Sequence, residues 1–189
     1  VTGLDPKDPL VIDVRTILQR RAGSMVTVTR SVPAPAGLGV AMARVPEGSP
    51  IDLDLRLESV LEGVLVTGSA DLQVGAECSR CLETFDWHEE IDLTELFRYP
   101  STDARGAIVE EEDESEDPLP VLQDDLIDLE PVLRDAVVLD LPLAPLCSED
   151  CLGLCPQCGA RLEDDPQHAH ETTDPRWAAL AALADPDVQ

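Results

Sequence analysis

The six cysteines of this chain fall in a pattern that limits what the chain can be. Cys78-Ser-Arg-Cys81 is one C-x-x-C pair. Cys155-Pro-Gln-Cys158-Gly159 is a second, with Cys147 and Cys151 just upstream in LCSEDCLGLCPQCG. In Cys-Pro-x-Cys-Gly a tight turn lets both thiolates reach one ion, Gly159 permits a positive φ, and backbone N–H groups can point at the sulfurs. Any single pair is a weak signal; two pairs with two further cysteines are a strong one. The competing reading is a redox couple at Cys78 and Cys81. That chemistry wants the pair to open a helix after a strand, where the dipole lowers the thiol pKa. Here the pair lies between strand-like segments with Glu77 and Glu83 beside it, which works against a thiolate. Inert thiols are the third reading.

His168-Ala-His170 adds two donors, so sulfur and imidazole together suffice for two tetrahedral ions. One partition puts Cys155, Cys158, His168 and His170 on one ion, and Cys78, Cys81, Cys147 and Cys151 on a second that staples the tail to a sheet. Its rivals are a single ion on Cys147, Cys151, Cys155 and Cys158, or a single ion on the two C-x-x-C pairs. The histidines read equally well as solvated loop residues, and spacing alone does not decide. The expected cofactor is structural Zn(2+), one or two ions. Four protein ligands close the coordination shell and leave no place for substrate. The sequence contains no Ser/His/Asp set, P-loop or Gly-rich nucleotide fingerprint. His88, in DWHEE, reads as a surface residue. The expectation is therefore a protein that is not an enzyme and has no small-molecule substrate.

Around the cysteines, the periodicity argues for an α+β fold: a small antiparallel, partly barrel-like sheet with short helices and a C-terminal tail resembling a zinc knuckle. Residues 1–100 form the β-rich domain with the central C-x-x-C. Met25–Val32 and Ile51–Leu57 alternate apolar with polar, the period of a half-buried strand. Leu61–Val74 continues the pattern, with Gly63, Gly68 and Gly75 as expected bends or turns, and Ile91–Phe97 fits strand or helix. Pro33, Pro35, Gly37 and Gly39 mark a loop. Residues 101–120 hold an acidic run, Glu110–Asp117, with no apolar residue, expected to be a disordered tether. Residues 121–189 carry a helix over Leu126–Leu141, the cysteine-rich tail and a closing helix packed on the β domain. For the first helix Asp128 is the expected N-cap and Pro131 falls in the first turn; Leu129, Val132, Leu133, Ala136 and Val137 share a face. The closing helix opens at Asp174-Pro175-Arg176-Trp177. Aromatics are only 3% of 189 residues, so the core has to be aliphatic.

The formal net charge is -26. Such a chain repels a phosphate backbone, whose binding rests on Lys and Arg releasing counterions, and it attracts basic partners. The stretch from Val14 to Val45 is the exception: it lacks Asp and Glu and carries Arg15, Arg20, Arg21, Arg30 and Arg44, the candidates for RNA contact. No run reaches the roughly 18 apolar residues of a membrane span, and VTGLDPKDPLVIDV lacks the basic-then-apolar order of a signal peptide. A cytoplasmic location with no membrane partner is the expectation.

Three segments carry a family resemblance: VIDVRTILQRRAGSMVTV, ECSRCLETF, and LCSEDCLGLCPQCGARL followed by DPRWAALAAL. In this order, with an acidic stretch between the two cysteine regions, they resemble the YceD family, also called large ribosomal RNA subunit accumulation protein. The resemblance implies a bacterial ribosome biogenesis role in synthesis, processing or stability of large-subunit rRNA, without enzymatic activity. Given the charge, the expected partner is a basic ribosomal protein or assembly factor, with direct rRNA contact through the arginine stretch as the other route. A zinc-dependent regulator or adaptor unrelated to ribosomes is the alternative class.

Overall fold

A computed structural model describes residues 3–15, 23–101, 119–165 and 167–170. Chain order is β1 (Val11–Asp13), β2 (Met25–Pro33), β3 (Ala43–Arg44), β4 (Pro50–Ser59), β5 (Gly63–Glu77), β6 (Thr84–Arg98), β7 (Leu126–Asp128) and α1 (Glu130–Asp140). β1 and β7 form a two-stranded antiparallel sheet. The larger sheet has β2 beside β4, β4 and β3 beside β5, and β6 on the other side of β5, every pair antiparallel.

Alternation builds this sheet. In β4, Ile51, Leu53, Leu55 and Leu57 are buried while Asp52, Asp54 and Arg56 are exposed. The register sets Ile51 opposite Leu72 and Leu53 opposite Ala70, and Ala70 opposite Ile91, so the apolar rows of neighbouring strands share one face. The core is accordingly Leu, Ile, Val and Ala with Phe97 as its buried aromatic. α1 packs against β6 and buries Leu133 and Val137; Val132 and Ala136 are partly buried on the same face.

Three expectations change and one alternative is resolved. The sheets are open rather than barrel-like: among the described residues β2 and β6 do not pair, so nothing closes the ring. Gly68 and Gly75 do not bend the chain, because β5 runs unbroken through both. Gly68 serves close approach instead, since a Cβ there would lie 2.0 Å from the Asp54 carbonyl oxygen. Ile91–Phe97 is strand, the inner half of a long hairpin with β5. Finally, Leu126–Asp128 is strand, so α1 starts later than periodicity implied and Leu129 takes the N-cap position without a side-chain bond. Asp128 still satisfies one end of the helix, its carboxylate accepting the Glu130 N–H at 3.0 Å. Pro131 lies in the first turn and Leu141 caps the last, as expected. The acidic run Glu110–Asp117 and the helix expected from Asp174 lie outside the described residues.

Candidate metal centres

The first C-x-x-C forms the tip of the β5–β6 hairpin. Cys78 N–H donates to the Glu83 carbonyl at 2.8 Å and Leu82 N–H to the Cys78 carbonyl at 2.9 Å, with Leu82 at φ 61°. This tight loop points Cys78 and Cys81 the same way, and the segment after α1 wraps over them. Ser79 N–H donates to the Pro145 carbonyl at 2.9 Å, Leu154 N–H to the Arg80 carbonyl at 3.1 Å, and the Arg80 guanidinium to the Cys151 carbonyl at 3.0 Å. Gly153 is required here: its φ is +74°, and a Cβ would sit 3.0 Å from the Arg80 carbonyl oxygen.

These contacts bring Cys147 and Cys151 onto the hairpin tip. Cys78 Sγ lies 3.8 Å from Cys151 Sγ, and Cys81 Sγ lies 3.6 Å from Cys147 Sγ. All four sulfurs fall within 4.8 Å of one another. None is a disulfide; every cysteine is free. Cys78, Cys81 and Cys151 are buried with Phe85 and Leu146 packed against them, while Cys147 is exposed.

The second cluster is local. Gly159, at φ 75°, closes the knuckle turn, with Gly159 N–H donating to the Cys155 carbonyl at 2.8 Å and Cys155 N–H to the Ala160 carbonyl at 2.7 Å. His168 and His170 fold back onto it: each Nε2 is 3.2 Å from Cys158 Sγ, and the two Nε2 atoms are 2.8 Å apart. With Cys155 these donors also lie within 4.8 Å of one another. Cys155 is buried, Cys158 and His170 are exposed, and His168 is half-buried.

Each cluster contains one thiol prepared to lose its proton. Burial pushes the Cys78 thiol up, but backbone N–H groups of Cys147, Cys81 and Arg80 outweigh it and bring it down to about 6. N–H groups of Gln157 and Cys158 do the same for Cys155, also to about 6, against burial. Cys147 goes the other way, to about 12, because neighbouring Cys151 and Cys81 compete for the proton. Sulfurs gathered this closely, with backbone dipoles aimed at them, repel one another as thiolates unless a cation lies between them. The arrangement can therefore hold a metal ion at each of two four-donor sites.

The structure sorts the eight donors into the two sets of the first partition and not those of its rivals. The three described candidate arginines each engage a neighbour of their own. Arg15 is exposed and pairs with Asp13 at 2.8 Å. Arg30 is half-buried in β2 and reaches the Val11 carbonyl at 3.4 Å; Arg44 in β3 donates to the Ala41 carbonyl at 3.0 Å. Arg20 and Arg21 lie outside the described residues. Sequence reasoning passed over Arg80 and Arg161, which join the hairpin tip to the tail. Arg161 forms an ion pair with Glu83 across the two elements. The only local signal was their position, each two residues from a cysteine or knuckle glycine.

A largely β protein whose hairpin tip and tail share a four-cysteine cluster, with a Cys2His2 knuckle beyond it, is the class that this geometry defines. The family described as large ribosomal RNA subunit accumulation protein YceD matches residues 66–184, and the chain belongs to it. An uncharacterised protein of Mycobacterium tuberculosis is 42% identical over 179 residues, covering 95% of this chain and 83% of that protein. The Bacillus subtilis uncharacterised protein YlbN is 32% identical over 115 residues, 58% of this chain and 60% of the relative. More distantly, the maize protein named large ribosomal RNA subunit accumulation protein YCED homolog 1, chloroplastic, is 22% identical over 171 residues, 85% of this chain and 48% of its own length. No solved structure matches the chain. No helix among the described residues is long and apolar enough to cross a membrane.

Proposed function

We propose that this protein is a non-catalytic cytoplasmic factor, folded around two structural zinc ions, that supports accumulation of large-subunit rRNA through a basic protein partner. The ribosomal part rests on family membership and on the name of the maize relative. What carries the zinc part is the sulfur spacing. Tetrahedral zinc with Zn–S bonds of about 2.3 Å sets sulfurs about 3.8 Å apart; the close pairs of the four-cysteine cluster are at 3.6 and 3.8 Å. In the Cys2His2 cluster the donors stand closer, at 2.8 and 3.2 Å, so they have to spread by a few tenths of an ångström around an ion. Cys78, Cys81, Cys147 and Cys151 would hold one ion, Cys155, Cys158, His168 and His170 the other. The metal supplies cross-linking: its binding energy becomes folding energy for a tail that is too polar to pack by itself.

A protein partner is favoured over rRNA by a net charge of -26 and by the engagement of Arg15, Arg30 and Arg44 with a neighbouring acid or carbonyl. The decisive experiment is the rRNA profile of a deletion strain, with the large-to-small subunit rRNA ratio expected to fall. An unchanged ratio removes the ribosomal reading and leaves that of a zinc-dependent adaptor. Pull-downs separate the routes: recovery of basic ribosomal proteins that survives nuclease and declines with salt supports the protein partner. Recovery lost to nuclease supports direct rRNA contact.

A further inference from the structure

Between β6 and α1 lies a groove of about 860 Å³ that takes no part in the metal clusters. Its floor is apolar, from Ile91, Phe97 and Val132, and the exposed Val121 and Leu139 stand at its lip, the latter 86% exposed. Its walls carry six carboxylates, Glu90, Asp92, Glu95, Asp128, Asp135 and Asp140, and the described lining has no Lys, Arg or His. The one cation of α1, Arg134, is turned away and bound to the Gly37 carbonyl at 2.9 Å and to Glu130 at 2.8 Å. Asp140 also lies in the last turn of α1, where a negative charge opposes the helix dipole and a cation relieves it.

One wall of the groove is a strand edge. At the end of β6, Arg98 N–H donates to the Pro120 carbonyl at 2.8 Å and Leu122 N–H to the Arg98 carbonyl at 2.9 Å, a parallel pairing centred on Val121. Backbone groups face the same edge at every second residue, so Thr94, Asp92 and Glu90 present theirs along the groove, while the Leu96 N–H donates to the Glu95 carboxylate at 3.2 Å. Among the described residues no other strand pairs with this edge. Extended chain thus already docks at one end of an edge that continues, unpaired, between an apolar floor and an acidic rim.

We infer that this groove is the docking site for an extended cationic segment of a partner protein, one in which Lys or Arg alternates with apolar side chains. Such a segment adds to β6 through its backbone. Its apolar side chains, all on one side, meet the floor beside α1, and its cations on the other meet Glu90 and Asp92 of β6, with the carboxylates of α1 adding to the negative field. The inference deepens the proposed reliance on a basic partner and says where that partner binds.

The test uses the full chain and a fluorescent peptide of about eight residues alternating Lys and Leu, with a control of the same composition in which the lysines and leucines form separate blocks. The alternating peptide is expected to bind in a salt-sensitive manner and the block peptide more weakly. Glu90→Lys with Asp92→Lys should cut affinity about tenfold, because two attractive contacts become repulsive. Asp52→Lys with Asp54→Lys, the same charge change on the solvent face of β4, should change it less than about twofold, and Leu139→Ser should weaken it without altering its salt dependence. Equal losses from the two reversed pairs, indifference to the order of the peptide, or no binding at all each overturn the inference. Binding of an rRNA fragment in place of the peptide overturns it as well. A deletion strain with normal rRNA would remove the ribosomal reading but leave peptide affinity intact, so the two failures are distinguishable.

Discussion

The two donor clusters use similar chemistry for different purposes. Cys78 and Cys81 meet Cys147 and Cys151 across 66 and 73 residues of chain, and three of the four are buried. Cys155, Cys158, His168 and His170 all come from one short stretch, and only Cys155 of them is buried. An ion in the first joins the hairpin tip to the segment after α1, so losing it releases a long loop and exposes packed surface. An ion in the second orders only the loop that carries its own ligands. Similar coordination is therefore worth very different amounts of global stability, because loop closure and burial differ.

The largest effect expected from this contrast is that of Cys78→Ser. It should remove one zinc equivalent and lower Tm by about 10 °C, about 3 kcal/mol for a chain of this size. Elemental analysis and calorimetry give both numbers. A loss no greater than that of Cys158→Ser would end the distinction. Next comes Gly153→Ala, which forces a side chain into a left-handed backbone position and against Arg80 without touching a ligand. About 2 kcal/mol and a Tm drop of about 5 °C are expected, with zinc content at the knuckle unchanged.

How much of this could be read from sequence differs between the clusters for the same reason. The knuckle is a local motif, and Cys-Pro-Gln-Cys-Gly states its turn outright. The pairing of Cys78 with Cys151 is a consequence of topology: β5 and β6 must form a hairpin, and the segment after α1 must return to its tip. Ligand counting suggested that grouping, but no spacing rule could choose it over its rivals. The fold divides likewise. β2 and β4 announce themselves by alternation, since each has one wet face. β1 and β7, three residues each, are stabilised by pairing with one another across the chain, which no local period records. β6 was ambiguous because Leu93, Leu96 and Phe97 fit helical spacing as well as strand spacing. The groove was invisible for a related reason: its walls come from β6, the return after residue 118 and α1, and its acidity is diluted in a chain that is acidic throughout.

A smaller effect concerns the outer cluster. Cys158→Ser should remove one zinc equivalent, expose the segment after Cys155 to protease, and lower the Tm of the sheet by only about 3 °C. Chelator should act in two phases, the exposed Cys2His2 site emptying before the buried four-cysteine site. Limited proteolysis during chelation follows both. A single phase, or a sheet that melts with the knuckle, would mean that the clusters form one cooperative unit.

The smallest effect probes what couples the two. Besides Leu154 N–H donating to the Arg80 carbonyl at 3.1 Å, the knuckle touches the hairpin tip through the Arg161–Glu83 ion pair. Both side chains are substantially exposed, at 38% and 50%, and Arg161 also lies 3.5 Å from Glu163 and 3.9 Å from Asp164. Water and these competing acids screen the pair, so Arg161→Ala should lower Tm by no more than about 1 °C. Glu83→Ala should cost no more. The informative quantity is the coupling. If the ion pair orients the knuckle against the tip, the double alanine variant should be less destabilised than the sum of the singles, and the reversed pair Glu83→Arg with Arg161→Glu should recover most of the protease protection of the tail. Additive losses with no recovery would leave the backbone bond between Leu154 and Arg80 as the joint, and the ion pair would then contribute nothing to how the knuckle sits on the tip.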